Sequence, residues 1–402
     1  MALISAETEL LSHGKVQRVF EMDIHSDSRW AQFVSAHPDA LIYHHPGWLF
    51  ALESEYGQKC VGLGCANETG QLTAVLPLLY TKGFPLKFGP VASGRRLSSL
   101  PRTPIAGPLA QNDQSEKAIV EHAVELARSQ WGVQLEIKTQ IPNLHESFER
   151  LVCIPWRPTF VWELPPALEG QDWEDFWESI RLPRGCLSCE GCRRLRFGNA
   201  KRQHRVSWAV NKARKLGLEV READTEQELA HWYQLYLLTM RHNAVPPRPY
   251  RLFHSLWSSF HHSGNMRLLL AEQNRAGQKR MVAGSILLQF GQTVFYAFTG
   301  CSPHDWCLHP HDLLQIEAIQ SACRSGYRWY DFGEVAEEHE ALAQFKTKWG
   351  GKPKPVYRYY SPGPNARASR ASEMLAQSAR KVWRHLSPKA TAVLGDLIYS
   401  RM

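Results

Sequence analysis

Residues 309–351 read HPHDLLQIEAIQSACRSGYRWYDFGEVAEEHEALAQFKTKWGG, and this stretch decides the fold. Asp312 is a good N-cap residue, and Leu313, Ile316, Ile319 and Ala322 follow it at helical spacing, so a helix is predicted from Asp312 onward. Gly326 ends it, as glycine does just past a helix terminus. Residues 327–332 are rich in aromatics and predict a short strand that finishes on Asp331-Phe332-Gly333. An acidic loop with Glu334, Glu337, Glu338 and Glu340 comes next, then Phe345-Lys346-Thr347-Lys348-Trp349-Gly350-Gly351. A helix feeding a strand that ends on a carboxylate, with a lysine returning soon after, reads as one wall of a site. Gly333 and Gly350 flank it and let a ligand approach the backbone.

The elements upstream extend this pattern. Residues 17–40 read as strand then helix, and a helix begins at Pro46 with Trp48, Leu49, Leu52 and Tyr56 on one face, ending at Gly57. Residues 60–65 and 72–80 are neighbouring strands around the turn Asn67-Glu68-Thr69-Gly70. A Pro- and Gly-rich passage over 83–108 is too irregular for a helix and too apolar for a linker; helix 116–128 and strand 133–137 complete a compact α/β unit. The second half follows a similar order: helices 173–180 and 201–216, strand 218–222, helices 226–242 and 250–262, then strands 266–272, 282–290 and 293–299. Ser361-Pro362-Gly363-Pro364 breaks the chain before an amphipathic helix over 371–386, with Met374, Leu375, Ala379, Val382, Trp383 and Leu386 on one stripe beside Arg380, Lys381, Arg384 and His385.

The 402 residues suffice for two or three domains, and 44% hydrophobic with 21% charged residues is ordinary globular composition. The start MALISAETELLSHGKV has no basic segment leading into an apolar run, and no 18-residue apolar stretch occurs, so neither a signal peptide nor a membrane span is expected. With nine cysteines, an odd number, this predicts free thiols and a cytoplasmic protein. The net charge of +8 is concentrated. Residues 181–215 carry eleven Lys/Arg against Glu190 alone, and residues 361–402 carry seven against Glu373 and Asp396. Two basic segments on an otherwise mildly acidic body imply a local anionic partner.

Four motifs stand in order along the chain: His45-Pro46-Gly47-Trp48, Arg96-Leu97-Ser98-Ser99-Leu100-Pro101, Asn211-Lys212-Ala213-Arg214-Lys215-Leu216-Gly217-Leu218, and the DFG-to-FK stretch of 331–346. Together they resemble the FemAB-type (peptidoglycan-bridge) branch of the GNAT acyltransferase superfamily, and most closely its exopolysaccharide- and PEP-CTERM-associated members, over residues 15–360. The DFG is not a kinase signal, because no glycine-rich loop or HRD motif accompanies it. The resemblance implies an α/β fold of two tandem GNAT-like domains with mixed sheets, at 15–150 and 160–360, followed by a basic helical tail at 361–402. A Cys-rich basic insertion at 183–200 has no counterpart in the family pattern.

It also implies N-acyl or aminoacyl transfer to an amine of a cell-envelope precursor or polysaccharide. Such transfer needs a base and a positive group for the developing oxyanion, roles that suit Asp331 and Lys346. Gly333, Phe345, Trp349, Gly350, Tyr296, Arg205 and Lys212 are the expected substrate-binding set, Arg205 and Lys212 sharing one face of the basic helix. The first turn at His311, Asp312 and Leu313 is where an acyl-CoA pyrophosphate would be expected. The preceding loop GCSPHDWCLHPHD has no Gly-x-Gly, however, and aminoacyl-tRNA is the other donor open to the family. The basic helix would suit a tRNA backbone. No metal is expected: Cys186, Cys189 and Cys192 supply three ligands where a zinc or iron–sulfur site needs four. The tail helix either docks on its domain or meets an anionic membrane, which would make the protein peripheral at the inner membrane and suit a lipid-linked acceptor. The competing expectation is a non-catalytic RNA- or anion-binding protein using helix 201–216 and a zinc site.

Overall fold

A computed structural model describes residues 8–10, 17–82, 94–164, 200–275, 277–363 and 382–400. The first half supplies β1 (Thr8–Leu10), β2 (Gln17–Met22), α1 (Ser28–Ala36), α2 (Pro46–Tyr56), β3 (Cys60–Ala66), β4 (Leu72–Thr81), β5 (Arg95–Ser98), β6 (Leu109–Ala110), α3 (Asp113–Arg128), β7 (Val133–Thr139) and β8 (Val152–Pro155). The second supplies β9 (Thr159–Glu163), α4 (Ala200–Lys215), β10 (Leu218–Glu222), α5 (Glu226–His242), α6 (Tyr250–Phe260), β11 (Met266–Arg275), β12 (Gln278–Phe290) and β13 (Thr293–Cys301). It continues through α7 (Pro310–Arg324), β14 (Trp329–Glu334), α8 (Glu340–Lys348) and β15 (Lys352–Lys354). β16 (Tyr357–Ser361) and α9 (Pro388–Tyr399) follow.

These strands form two mixed sheets, ordered β1-β2-β3-β4-β5-β7-β16-β8, with β6 on β4, and β10-β11-β12-β13-β14-β9-β15. Each contains one parallel pair, β5 with β7 and β13 with β14; the remaining pairs are antiparallel. The parallel pairs are bridged by α3 and α7, because a parallel neighbour requires a crossover long enough to hold a helix. That is the predicted tandem α/β arrangement. The chain also crosses between sheets: β16 enters the first sheet between β7 and β8, so residues 357–360, from the end of the segment expected at 160–360, pair with strands of the first half.

The halves share a core. Buried side chains of α2 (Trp48, Leu49, Leu52) and of α6 (Phe253, Leu256, Phe260) belong to one cluster. At the His45-Pro46-Gly47-Trp48 motif, Pro46 starts α2, His45 Nδ1 accepts from the Gly47 amide, and a Cβ on Gly47 would stand 2.7 Å from the Phe260 ring. The motif is thus a helix start and a point of close approach between the halves. Beside it, Arg248 is buried in a two-pronged ion pair with Glu55, Nε–Oε1 2.8 Å and Nη2–Oε2 2.5 Å, which joins α2 to the loop before α6.

One helix prediction needs correction. α7 begins at Pro310, with His309 at its N-cap in the left-handed region (φ 58°), so Asp312 is the third helical residue and not the cap. A tail helix that the sequence reading did not assign, α9, runs over Pro388–Tyr399; of the predicted helix 371–386 only Val382, Trp383, Arg384, His385 and Leu386 are among the described residues, and the rest lies outside them. The predicted helix 173–180 and the Cys186–Cys192 cluster lie outside them.

Candidate active site

β13 and β14 pair only over Thr293, Val294 and Phe295 against Trp329, Tyr330 and Asp331. Beyond that the strands part: β13 stays with β12 up to Cys301, while β14 stays with β9. Asp331 sits at the fork. In the β14–β9 register Asp331 faces Val161 and Glu334 faces Thr159, so three steps on β14 match two on β9 and a bulge lies at Phe332-Gly333. Gly333 takes up the bulge at φ 83°. Since strand side chains alternate, the extra residue returns Glu334 to the face that Asp331 occupies. The sequence DFGE therefore presents two carboxylates on one side of the sheet.

Asp331 is buried, and its Oδ1 accepts from Thr159 Oγ1 at 2.5 Å and from the Gly333 amide at 2.7 Å. Among the described residues no donor reaches its other oxygen. Burial raises its pKa above the ordinary carboxylate value; the two hydrogen bonds, then Lys346 and Lys354, oppose the rise. Asp331 lines a cavity of about 520 Å³ between the two halves, with Val161 and Lys354 beside it and His44, Gly107 and Thr139 on the opposite wall. His44 itself is a packing residue: its ring bridges the Leu41 amide and the Gly107 carbonyl, and burial pushes its pKa down to about 4.

Lys346 lies beneath the bulge. Its Nζ donates to the carbonyls of Gly333 at 3.0 Å and Glu334 at 3.1 Å, leaving one of three N–H groups. Burial pushes its pKa down to about 8, against the attraction of Asp331 and Glu334. Sequence reasoning treats Lys346 as a cation free to meet substrate, whereas it is 7% exposed and holds the backbone that carries both carboxylates.

Glu334 connects this wall to the first sheet. Trp156 Nε1 donates to Glu334 Oε2 at 3.2 Å, the Arg358 guanidinium stands 3.3 Å over the Trp156 ring, and Arg358 Nη1 donates to Glu136 Oε1 at 2.9 Å. Oε1 of Glu334 is buried and has no partner among the described residues. Burial raises the Glu334 pKa, with Arg358 and the Trp156 hydrogen bond opposing it. Burial also works against ionised Glu136, but Lys138, Arg358 and Arg96 outweigh it and hold the group at about 2. Lys138, pushed down to about 8 by burial, donates to the carbonyl of Leu100 at 2.8 Å. That loop carries Leu100 at φ 62° and Arg102 at φ 54°, two non-glycine residues in the left-handed region. It lies within the Arg96–Pro101 motif and just beyond it, so backbone strain collects beside the buried charge.

The remaining predicted residues are scattered. Trp349 is fully buried in the second core, which removes it from the substrate-contacting set; Gly350 packs against the Trp162 ring. Phe345 is half-buried with the Lys348 ammonium over its ring, and the Tyr296 hydroxyl accepts from Ser285 Oγ at 2.7 Å. Arg205 is exposed on α4, and Lys212 stands over the exposed Trp208 ring at 4.8 Å. At the start of α7, the Leu313 side chain belongs to the core, and Asp312 pairs with Lys348 at 2.5 Å. An internal carboxylate therefore occupies the first turn expected to take a donor phosphate. Among the described residues no group of three or more His, Cys, Asp or Glu is arranged to hold a metal, and the cysteines there are free thiols. Thr159, Trp156, Glu136, Lys138 and Arg358 escaped sequence reasoning. Only the glycine after DF signalled that Glu334 would turn inward.

Residues 200–346 match the family model described as the acetyltransferase (GNAT) domain. This span runs from α4 to Lys346 and makes the chain an acyltransferase by class. Its fold is that of FemX, with a TM-score of 0.61 at 13% identity over 89% of this chain and 99% of that one. The likeness extends to the C-terminal domain assigned to a lysylphosphatidylglycerol synthetase of Agrobacterium fabrum, at TM-score 0.53 and 13% identity over 86% and 94% of the two chains. A conserved protein of unknown function from Bacteroides thetaiotaomicron VPI-5482 also shares it, at TM-score 0.54 and 10% identity over 85% and 98%. No curated protein matches the sequence. In architecture the chain is thus similar to FemX, and over residues 200–346 it is similar to the GNAT acetyltransferase domain.

Proposed function

We propose that this protein transfers an acyl or aminoacyl group to a primary amine on a cell-envelope or polysaccharide precursor, with the amine seated in the cavity between the two halves. One observation carries this reading: Asp331 lies at the fork between β13 and β14 and lines that cavity. A buried carboxylate with one oxygen held and the other open suits an amine: the ammonium form first gives up one proton to solvent, and Asp331 takes a second from the neutral nitrogen as it attacks. The amine nitrogen bonds to the acyl carbonyl carbon, and the carbonyl π pair moves to oxygen. That pair returns as the bond to the leaving thiolate or ribose oxygen breaks, and the proton taken by Asp331 passes to the leaving group. Lys346 keeps the bulge in place and adds positive charge near the developing oxyanion.

The donor is an acyl-CoA thioester or an aminoacyl-tRNA ester. The exposed Trp208 with Lys212 over it, and Arg205 a turn away, offer stacking and charge to a nucleotide portion of either. The first-turn amides of α7 offer a phosphate contact only beside the Asp312–Lys348 pair. A fold relative assigned to a lipid-modifying synthetase supports a lipid-linked acceptor and work at the inner membrane surface. The test is amide formation from separate panels of acyl-CoAs and aminoacyl-tRNAs with amine-bearing lipid-linked and nucleotide-linked acceptors. Transfer from one panel is expected; tRNA binding without transfer from either would favour the anion-binding alternative.

A further inference from the structure

α9 presents an apolar face to solvent while its opposite face is bound tightly. On the bound side, Thr391 and Tyr399 are buried, and a Cβ on Gly395 would meet the Pro247 carbonyl at 2.5 Å. The Tyr399 ring lies beneath the guanidinium of Arg102 from the first half, at 5.3 Å, and of Arg248 from the second, at 5.9 Å. Asp396 pairs with Arg251, which also donates to the carbonyls of Ser54 and Glu55. The helix is therefore fixed across the joint between the halves.

At 100° per residue, Lys389, Ala390, Val393, Leu394 and Leu397 fall on the opposite side. Val393 is 70% exposed, Leu397 55% and Leu394 38%, and Val382 just ahead of the helix is 63% exposed. Solvent-exposed single leucines are common, but a helix with its outer face apolar and its inner face already packed needs a partner. The charge around the face indicates which. Arg384 and Lys389 are exposed, and Asp396, the acidic residue of the described tail, is neutralised by Arg251. Residues 361–402 as a whole carry seven Lys/Arg and two acids. No helix among the described residues is long and apolar enough to cross a bilayer.

We infer that the Val393–Leu394–Leu397 face of α9, flanked by Arg384 and Lys389, is a contact surface for an anionic lipid bilayer. Shallow insertion of three aliphatic side chains, with lysine and arginine at the headgroups, is the chemistry of an interfacial helix. Because α9 is fixed at the joint, the contact sets the orientation of the whole molecule on the membrane. The inference names the surface behind the lipid-linked acceptor proposed above. It is read without donor or acceptor, so its failure would leave acyl transfer standing, and absence of transfer would leave it standing.

The experiment is co-sedimentation of the full chain with phosphatidylglycerol-containing vesicles and with phosphatidylcholine vesicles, at low and at physiological salt. Wild type should bind the anionic vesicles and weaken as salt rises. Val393→Asp with Leu397→Asp should reduce binding by about tenfold or more at an unchanged melting temperature, since both side chains are exposed. Arg384→Ser with Lys389→Ser should lower binding to anionic vesicles alone. Equal binding by wild type and the double aspartate variant would overturn the inference. So would a concentration-dependent dimer, lost in that variant, with no vesicle binding, which would make a second copy of the chain the occupant.

Discussion

Lys346→Met gives a stability experiment whose sign follows from geometry. Burial lowers the Lys346 pKa from its usual 10.5 to about 8, and at 7% exposure little solvent screening discounts this. The shift corresponds to about 3 kcal/mol by which the folded state disfavours the charged form, at 1.36 kcal/mol per unit. Below pH 8 both folded and unfolded chains bind the proton, and that penalty is constant. Between pH 8 and 10.5 the unfolded chain keeps a proton the folded chain has shed, so stability rises with pH and levels off above 10.5. Methionine retains most of the volume and removes the titration. It also removes two hydrogen bonds to the Gly333 and Glu334 carbonyls, worth about 1.5–3 kcal/mol each when the donor is charged. At pH 7 the terms nearly offset, and the variant should be less stable by about 0–3 kcal/mol. The difference between wild type and variant should then widen by about 3 kcal/mol toward pH 10.5. Urea unfolding of both proteins at half-unit steps measures this, and the similar titration of Lys138 cancels because both proteins carry it. A difference that stays flat across the window would refute the placement of a buried, proton-binding Lys346 under the bulge.

Asp331 must be ionised to accept a proton, and burial raises its pKa, so the transfer rate should fall on acidification through a pH above the ordinary carboxylate value; a pH–rate profile flat down to pH 4 would contradict this. Arg248→Met leaves Glu55 as an uncompensated buried charge and should cost about 3–5 kcal/mol, whereas Arg248→Met with Glu55→Leu should recover much of it, read by urea denaturation. Gly47→Ala brings a Cβ to 2.7 Å from the Phe260 ring and should destabilise by about 1–3 kcal/mol through overpacking, read as a fall in melting temperature.

Much of this molecule can be read from local sequence, because local rules fix helix ends and strand pairs. Pro46 and Gly57 bracket α2 as proline and glycine should, and Asn67-Glu68-Thr69-Gly70 turns β3 into β4. Pro310 carried a usable signal that was overridden: proline favours the first helical turn, so α7 begins two residues before Asp312. The candidate site was only half legible. Asp331 stands at a strand end visible in the sequence, but Thr159, which holds it, is 172 residues away and no periodicity links them. The inward turn of Glu334 comes from a bulge defined by the β9 register, and the burial of Lys346 comes from α8 packing under that bulge. β16 was illegible as a first-sheet strand because Tyr357–Ser361 fits either sheet by pattern; its place is set by pairing with β7 and β8.

The central claim is that Asp331 in the cavity between the halves accepts the proton of an acyl-acceptor amine. It is tested most directly by single-turnover amide formation, monitored by mass spectrometry of the acceptor, with wild type and Asp331→Asn against both donor panels. Asparagine keeps the shape and the hydrogen bond from Gly333 while removing the base. Amide product from wild type with one donor class, slowed by about 100-fold or more in the folded Asp331→Asn variant, is the predicted result. Equal rates in the two proteins, or no amide from any donor with protein shown to be folded, would contradict it.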